Sequence, residues 1–147
     1  MHQPGTSTLL RHPAAFWLLR LFFAAVWLIN GLYHKLLDGV PRHREIVARI
    51  LGEDHATVFT QAIGLGEVCF ALWIVSAWWW RLSCALQVVL VLTMNVLELL
   101  LAPDLLLFGA VNGLVALGYI SLVAWAGWFY GSPAKGSTRP LSTEPQP

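Results

Sequence analysis

Four long apolar stretches dominate the pattern of hydrophobic and polar positions along the chain. They cover residues 14–35, 57–79, 83–102 and 105–129, and few polar residues interrupt them. A helix needs about 20 consecutive, mostly apolar residues to cross the hydrocarbon core of a bilayer. Each stretch meets that length. The pattern therefore predicts an all-α fold, a left-handed four-helix bundle integral to a membrane.

A polar connector of about residues 36–56 joins the first two stretches, whereas the other linkers are very short. Within the connector, Ile46, Val47, Ile50 and Leu51 fall on one helical face, which predicts a short amphipathic helix. Two interpretations of this helix stay open. It lies in the plane of the membrane interface, or it caps the bundle as a solvated helix.

The two ends of the chain differ in composition from the membrane domain predicted at residues 14–130. Residues 1–13 and 131–147 contain Pro, Ser, Thr and Gly and little apolar content, so both are expected to be disordered. Four spans return the chain to its starting side, and the basic residues flanking the spans divide four against four. Arg20 tips the count towards cytoplasmic termini if its side chain extends to the terminal side.

Composition and charge agree with a lipid environment. The chain has 147 residues, of which 57% are hydrophobic and 12% charged, and its formal net charge is +1. A soluble domain carries about 25% charged residues, so this chain has too few charges to cover a wet surface. A nucleic-acid partner is not expected, because phosphate neutralisation needs a clustered basic surface. The lipid bilayer is the expected partner.

Cysteine and histidine positions give no indication of a bound metal or haem. Cys69 and Cys84 form neither a C-x-x-C pair nor a zinc spacing, and both are expected to be small buried hydrophobes. The five histidines lie at span ends, in the connector or near the N-terminus, so no axial haem pair is predicted. Neither haem nor a metal site is therefore expected.

Polar residues inside the spans are the first candidates for function. A charged side chain at membrane depth costs at least about 2.5 to 3.5 kcal/mol, so it is expected to face the bundle interior and find a partner. Glu67 in span two and Glu98 in span three meet this condition. Gln87 and Asn95 share one helical stripe with Glu98, and Asn112 is the single amide of span four. Each is either part of a site or a hydrogen-bonding contact between helices.

A second group of candidates lies towards the ends of span one. Trp27, Asn30, His34 and Lys35 cluster near its C-terminal end, and Arg20 lies near its N-terminal end. A Trp ring with His and Lys donors suits an anionic or quinone-like head group at the interface. In the simpler interpretation, Lys35 anchors the helix to lipid phosphates.

Five motifs occur in a recognisable order along the chain. They are W-L-x-N-G-L-x-x-K at 27–35, R-x-x-V-A-R-I-L-G at 44–52, G-L-G-E-V at 64–68, L-Q-V-V-L-V-L at 86–92 and A-P-D-L-L-L-F-G-A-V-N-G-L-V-A-L at 102–117. In order and spacing they resemble the DoxX-like family of small four-helix membrane proteins, over about residues 14–128. The chain departs from that pattern in span four, where Val111 and Asn112 stand in place of a lysine-asparagine pair.

The resemblance implies a protein of the bacterial inner membrane. Relatives of this type include the small subunit of a thiosulfate:quinone oxidoreductase and membrane partners of redox-stress proteins. By analogy, the chain is a quinone-associated or redox-partner subunit with no electron-carrying cofactor of its own. Glu67 and Glu98 would manage protons or bind a polar head group, oriented by Asn95 and Asn112.

Two hypotheses from other functional classes stand beside the redox one. The first is a small proton or solute transporter, or a channel-like homo-oligomer, whose polar stripe carries the solute. The second is a non-catalytic membrane scaffold in which every intramembrane polar residue serves packing alone. The sequence leaves open whether the protein is an enzyme.

Overall fold

The structure is a computed structural model that describes residues 13–106 and 111–131. Regular structure in this part of the chain is entirely helical. The elements in chain order are α1 (Pro13–Leu28), a π-helix (Ile29–Leu36), α2 (Arg42–Leu51), a 3₁₀ turn (Glu53–His55), α3 (Ala56–Ser76), α4 (Trp80–Leu101), a second 3₁₀ turn (Pro103–Leu105) and α5 (Val111–Gly131). The predictions of disorder for the two ends fall almost wholly on residues 1–12 and 132–147, which lie outside the described residues.

Within residues 13–106 and 111–131, four helical segments are long and apolar enough to cross a bilayer, which confirms the predicted all-α four-span architecture. They are Pro13–Leu36, Glu53–Ser76, Trp80–Leu101 and Val111–Gly131. Many of their leucine, valine and tryptophan side chains are exposed on the outside of the bundle. So much exposed apolar surface suits contact with lipid and not with water.

The turn between spans two and three starts earlier than predicted. α3 ends at Ser76 and α4 begins at Trp80, whereas the hydropathy pattern placed these boundaries at 79 and 83. Ala77 and Trp79 both adopt left-handed backbone conformations, with φ of 56° and 49°. A left-handed residue ends a helix because the backbone can no longer continue its hydrogen bonds.

Span four also begins later than predicted. The pattern placed its start at residue 105, but Pro103–Leu105 forms a 3₁₀ turn and Leu106 is extended. The described helix α5 then runs from Val111 to Gly131. Apolar composition alone cannot distinguish the turn from the helix that follows it.

The last two turns of span one form a π-helix, whose N–H groups bond to carbonyls five residues earlier. Despite this change of helix type, the buried positions of span one recur every four residues. They are Phe23, Trp27, Gly31 and Lys35. The face of span one that meets the bundle therefore continues through the π segment and ends at Lys35.

An aromatic core holds the spans together in the half of the bundle nearest the termini. Phe23 and Ile74 are fully buried there, and the Trp27 and Phe70 rings meet edge to face with centroids 4.7 Å apart. Trp80 donates its indole N–H to the Ala126 carbonyl at 3.2 Å. This half of the bundle is therefore both tightly packed and hydrogen-bonded across helices.

The two cysteines lie in different environments. Cys84 is buried against Gly127, where an added Cβ would stand 2.8 Å from the cysteine Cβ. Cys69 is exposed, which corrects the expectation that both are buried. The difference follows from helix phase, since Glu67 and Phe70 occupy the buried face of α3 and Cys69 points away from it.

The connector helix α2 packs across the end of the bundle opposite the termini. Ile46 and Val47 are buried, as the amphipathic pattern predicted, but Leu51 is exposed. Arg49 of α2 binds Asp104 between spans three and four at 2.6 Å, and this hydrogen bond holds the pKa of Asp104 below its usual range. This arrangement favours the interpretation of α2 as a helix that caps the bundle.

Candidate functional site

Spans one and two touch through two glycines. A Cβ added to Gly31 would lie 2.6 Å from the Gly64 carbonyl oxygen and 2.8 Å from the Glu67 Cβ. A Cβ added to Gly64 would lie 2.8 Å from the Gly31 oxygen and 2.9 Å from the Lys35 Cβ. Only glycine at both positions lets the two backbones come this close.

The glycine contact places Lys35 directly opposite Glu67. Each residue lies about one turn beyond its glycine, and the Lys35 Nζ donates to both carboxylate oxygens of Glu67 at 2.8 Å. The side chains are 8% and 5% exposed, respectively. The partner that Glu67 requires is therefore a lysine from span one. This corrects the expectation that Lys35 lies at the rim as a lipid anchor, because the glycine contact draws the end of span one against span two.

Further charged and titratable groups surround this ion pair. Glu98 of span three is half-buried and interacts electrostatically with Lys35, Glu67 and Arg42. The rings of His34 and His43 stack with centroids 5.1 Å apart. We call this group the polar cluster, and its members are His34, Lys35, Arg42, His43, Glu67 and Glu98.

His43 lies on the connector helix α2, outside the membrane spans, and its surroundings determine its charge state. Burial lowers its pKa to about 4, and the charges of Lys35, His34 and Arg42 act in the same direction. His43 is therefore uncharged at neutral pH. Its packing against His34 brings the connector helix into the polar cluster.

The three asparagine candidates have different positions. Asn30 donates to the Val26 carbonyl at 2.8 Å, and its side-chain oxygen lies 3.2 Å from the His34 ring. Asn95 donates to the Val91 carbonyl of its own helix at 2.9 Å. Asn112 is half-buried on α5. Among the described contacts, Asn30 is thus the asparagine that holds a member of the polar cluster.

Gln87 forms a second polar centre, two turns from the polar cluster when measured along span one. Its side-chain oxygen accepts hydrogen bonds from the Trp27 indole at 3.2 Å and the Tyr119 hydroxyl at 2.7 Å. Gln87 is completely buried, so the Trp27 ring belongs to the interior and not to the rim. The contact joins spans one, three and four through one amide.

Arg20 precedes the residues of both centres along span one. It is 15 residues before Lys35, or roughly 22 Å at the rise of an α-helix. Its guanidinium carbon lies 4.2 Å from the Trp17 ring centroid and 5.4 Å from that of Phe16, and the residue is 7% exposed. The contacts are those of a cation held by aromatic rings.

Three residues of these centres are absent from the sequence-based candidates. Arg42 and His43 begin the connector helix α2, and Tyr119 is the sole tyrosine within the body of span four. One signal for the ion pair was present: each charge follows a glycine by one helical turn, Lys35 after Gly31 and Glu67 after Gly64. When each of two neighbouring spans has a glycine and, one turn later, a charged residue, and the two charges are opposite in sign, the pattern indicates a close helix contact at the glycines. It also indicates an ion pair beside that contact.

The family model described as the DoxX-like family matches residues 24–126, more than half of the chain. The match spans both polar centres, from the residues before Trp27 to those beyond Tyr119. No curated protein and no solved structure matches the chain significantly.

Proposed function

The chain belongs to the DoxX-like family, and from that premise we propose that it is a quinone-associated or redox-partner subunit. In this proposal the polar cluster holds the ligand head group. The electrons come from a partner protein, and the chain supplies binding and protons without an electron-carrying cofactor of its own.

The buried ion pair between Lys35 and Glu67 is the observation that carries the proposal. Ionisable side chains within membrane spans are costly, and they commonly mark ligand sites or proton paths. Stability alone does not demand such a pair, because replacing buried ion pairs by apolar residues is often neutral or stabilising. The presence of both charges inside the bundle therefore favours a chemical role for the Lys35–Glu67 pair.

The chemistry of quinones suits these groups. A quinone carbonyl accepts hydrogen bonds, and its reduction to the quinol takes up two electrons and two protons. Lys35 is a hydrogen-bond donor, and the carboxyls of Glu67 and Glu98 can release or accept protons. Two carboxyl groups match the two protons of the reaction.

Quinone occupancy tests the proposal. The protein is purified with its native lipid, and bound quinone is extracted and counted per chain by mass spectrometry. We expect Glu67→Gln to lower occupancy by about tenfold or more, the effect of losing a hydrogen bond to a charged group. Glu45→Gln, at an exposed position on α2, is the matched control and should leave occupancy unchanged. Absence of quinone from the unmodified protein would refute the proposal.

A non-catalytic scaffold is the second candidate, and the hydrogen bonding of the interior favours it. Lys35 and Glu67 satisfy each other, and Gln87 accepts hydrogen bonds from two other helices. In a scaffold, Glu67→Gln lowers thermal stability but changes no quinone or redox measurement. The occupancy experiment therefore separates the two candidates.

We also propose the bacterial inner membrane as the location, with both termini in the cytoplasm. The four spans found among the described residues support a shared side for the termini. The positive-inside rule applied to Arg20 supports the cytoplasmic side. A C-terminal alkaline phosphatase fusion, which is active only in the periplasm, should be inactive, and an active fusion would reverse the orientation.

A further inference from the structure

A cavity of about 360 Å³ lies between the connector helix α2 and the start of span two. From α2 it is lined by Arg44, Ala48 and Arg49, and from the chain that follows by Glu53 and Thr57. Its volume falls within the range of about 300–1,000 Å³ that is typical of small-molecule sites. Its described lining residues and the polar cluster have no member in common, so this cavity is a separate candidate site.

The cavity lies at the level where span two enters the membrane. Glu53 is the first residue of the second segment that is long and apolar enough to cross a bilayer. Val58 and Phe59 follow directly after Thr57, and both are exposed apolar side chains. Lipid head groups lie at the ends of the spans, and their acyl chains lie beside the apolar surface. A lipid can therefore place its head group in the cavity and its chains against the outside of the bundle.

Two guanidinium groups at the cavity keep hydrogen-bond donors for a ligand. Arg44 donates from Nη1 to Asp38 at 2.7 Å, and Arg49 donates from Nη1 to Asp104 at 2.6 Å. A guanidinium has five N–H donors. The remaining donors of these two arginines have no protein acceptor in the described part of the chain. Each arginine is thus positioned by an aspartate and can still donate to a phosphate, whose oxygens suit the planar guanidinium.

Glu53 contributes the opposite charge to the lining. Its side chain is exposed on the 3₁₀ turn, and the carboxylate has neither an ion pair nor a hydrogen bond within residues 13–106 and 111–131. An anion without a positive group would be repelled by this carboxylate, and a cation without a negative group would be repelled by the two guanidinium groups. A ligand that carries both charges is attracted by both kinds of side chain.

The lining also distinguishes between kinds of cation. A primary ammonium has N–H donors for a carboxylate oxygen, whereas a quaternary ammonium is recognised by the faces of aromatic rings. The described residues that line the cavity include no aromatic side chain. Recognition through Glu53 therefore favours a primary ammonium.

We infer that this cavity binds the head group of a zwitterionic phospholipid that carries a primary ammonium. Arg44 and Arg49 donate to the phosphate oxygens, and the Glu53 carboxylate accepts a hydrogen bond from the ammonium. The bound lipid links the connector helix α2 to the start of span two. The inference is independent of quinone binding at the polar cluster.

Lipid titration of the full-length, delipidated protein, followed by native mass spectrometry, tests the inference. Dioleoyl lipids with ethanolamine, choline and glycerol head groups have the same acyl chains, so differences in Kd report the head group alone. We expect phosphatidylethanolamine to bind about tenfold more tightly than phosphatidylcholine or phosphatidylglycerol, the effect of one hydrogen bond between charged groups. Equal affinity for the three lipids, or tighter binding of either of the other two, would overturn the inference.

Substitutions separate the ammonium contact from the phosphate contact. Glu53→Gln should lose most of the preference for phosphatidylethanolamine over phosphatidylcholine, because an amide lacks the charge that attracts the ammonium. This preference is a ratio of two Kd values for one variant, so a folding defect that weakens all lipids alike leaves it unchanged. The double variant Arg44→Gln with Arg49→Gln should bind all three lipids about tenfold more weakly. Unchanged preference in Glu53→Gln, or unchanged affinity in the arginine variant, would overturn the inference.

Asp54→Asn is the matched control for Glu53→Gln. Asp54 is an exposed acidic residue of the same 3₁₀ turn, but it does not line the cavity. Asp54→Asn should therefore keep both the affinity for phosphatidylethanolamine and the preference for it. Equal loss of preference in Asp54→Asn and Glu53→Gln would assign the effect to the general charge of the turn and overturn the role of Glu53.

Soluble glycerophosphoethanolamine distinguishes a lipid from a free molecule with the same head group. It carries the phosphate and the ammonium but lacks the acyl chains that contact the outside of the bundle. We expect micromolar glycerophosphoethanolamine to leave bound phosphatidylethanolamine in place. Displacement of the lipid at that concentration would overturn the lipid as the occupant of the cavity and identify a soluble ligand instead.

Discussion

The two halves of the membrane domain are built differently. Near the termini, aromatic rings such as those of Phe23 and Trp80 pack all four spans together. Near the connector, spans one and two meet through Gly31 and Gly64 and enclose an ion pair. The buried residues of α4 end at Gln87, so its remaining turns are less enclosed than its first two.

Under the proposed function, one half of this small bundle serves stability and the other serves chemistry. The terminal half buries large apolar rings, whose van der Waals contacts favour association of the helices inside a membrane. The connector half keeps costly charges that packing does not require. Gln87 lies between the two halves and joins three spans by hydrogen bonds. Substitutions in the terminal half and substitutions in the connector half should therefore have effects that can be measured separately.

The largest effect is expected from Lys35→Met, which leaves the Glu67 carboxylate buried without a partner. Breaking a buried ion pair on one side costs about 3–5 kcal/mol. The free energy of unfolding, measured by steric trapping in bicelles, should fall by that amount. The double variant Lys35→Met with Glu67→Leu should recover most of the loss, because it removes both charges.

Arg44→Met is the control for this prediction, since the Arg44–Asp38 pair is much more exposed than the Lys35–Glu67 pair. Exposed ion pairs contribute about 0–1 kcal/mol. If Lys35→Met and Arg44→Met lower the free energy of unfolding equally, the buried ion pair contributes no more to stability than the exposed one.

Next in size is the effect of closing the glycine contact. Gly64→Ala places a methyl group 2.8 Å from the Gly31 carbonyl oxygen, so the helices must separate. Overpacking of this kind costs about 1–3 kcal/mol. Gly66→Ala on the same helix is the matched control, because its added Cβ meets nothing within 4 Å. If thermal unfolding shows equal midpoints for the two variants, the close contact of spans one and two is absent.

A smaller, pH-dependent effect is expected at His43. Its folded-state pKa of about 4 lies below the ordinary value of 6.5, so the unfolded chain binds the proton more readily. The associated stability is complete above pH 6.5 and is lost as pH falls towards 4, with a loss of about 1 kcal/mol at pH 5.5. Thermal midpoints measured from pH 7.5 to 5 should fall less steeply in His43→Gln than in the unmodified protein. Parallel curves would show that His43 is not responsible.

The sequence predicted the spans well, because apolar length is a property of each segment alone. It also predicted that Glu67 needs an interior partner, since a short acidic side chain cannot leave the bilayer core. It did not identify Lys35 as that partner. A lysine at a span end suits a lipid phosphate equally well, and the choice depends on how closely two helices approach.

The remaining differences concern how distant segments pack. Arg42 joins the polar cluster because α2 folds back over the end of the bundle, and local periodicity carries no information about that docking. Tyr119 bonds to Gln87 because spans three and four are neighbours. The π-helix at Ile29–Leu36 likewise departs from the α-helical period used to interpret the sequence.

Contact between Lys35 and Glu67 inside the membrane is the central claim, and solid-state NMR in lipid bilayers tests it directly. The chain contains two lysines, Lys35 and Lys135, so ¹⁵N-lysine labelling yields two side-chain signals. With ¹³C-glutamate added, we expect the Nζ signal that is lost in Lys35→Met to show strong transfer to a glutamate carboxyl carbon, as contacts of 2.8 Å require. The same transfer should disappear in Glu67→Gln. A Lys35 Nζ signal that correlates with lipid phosphate and with no glutamate carboxyl would contradict the account.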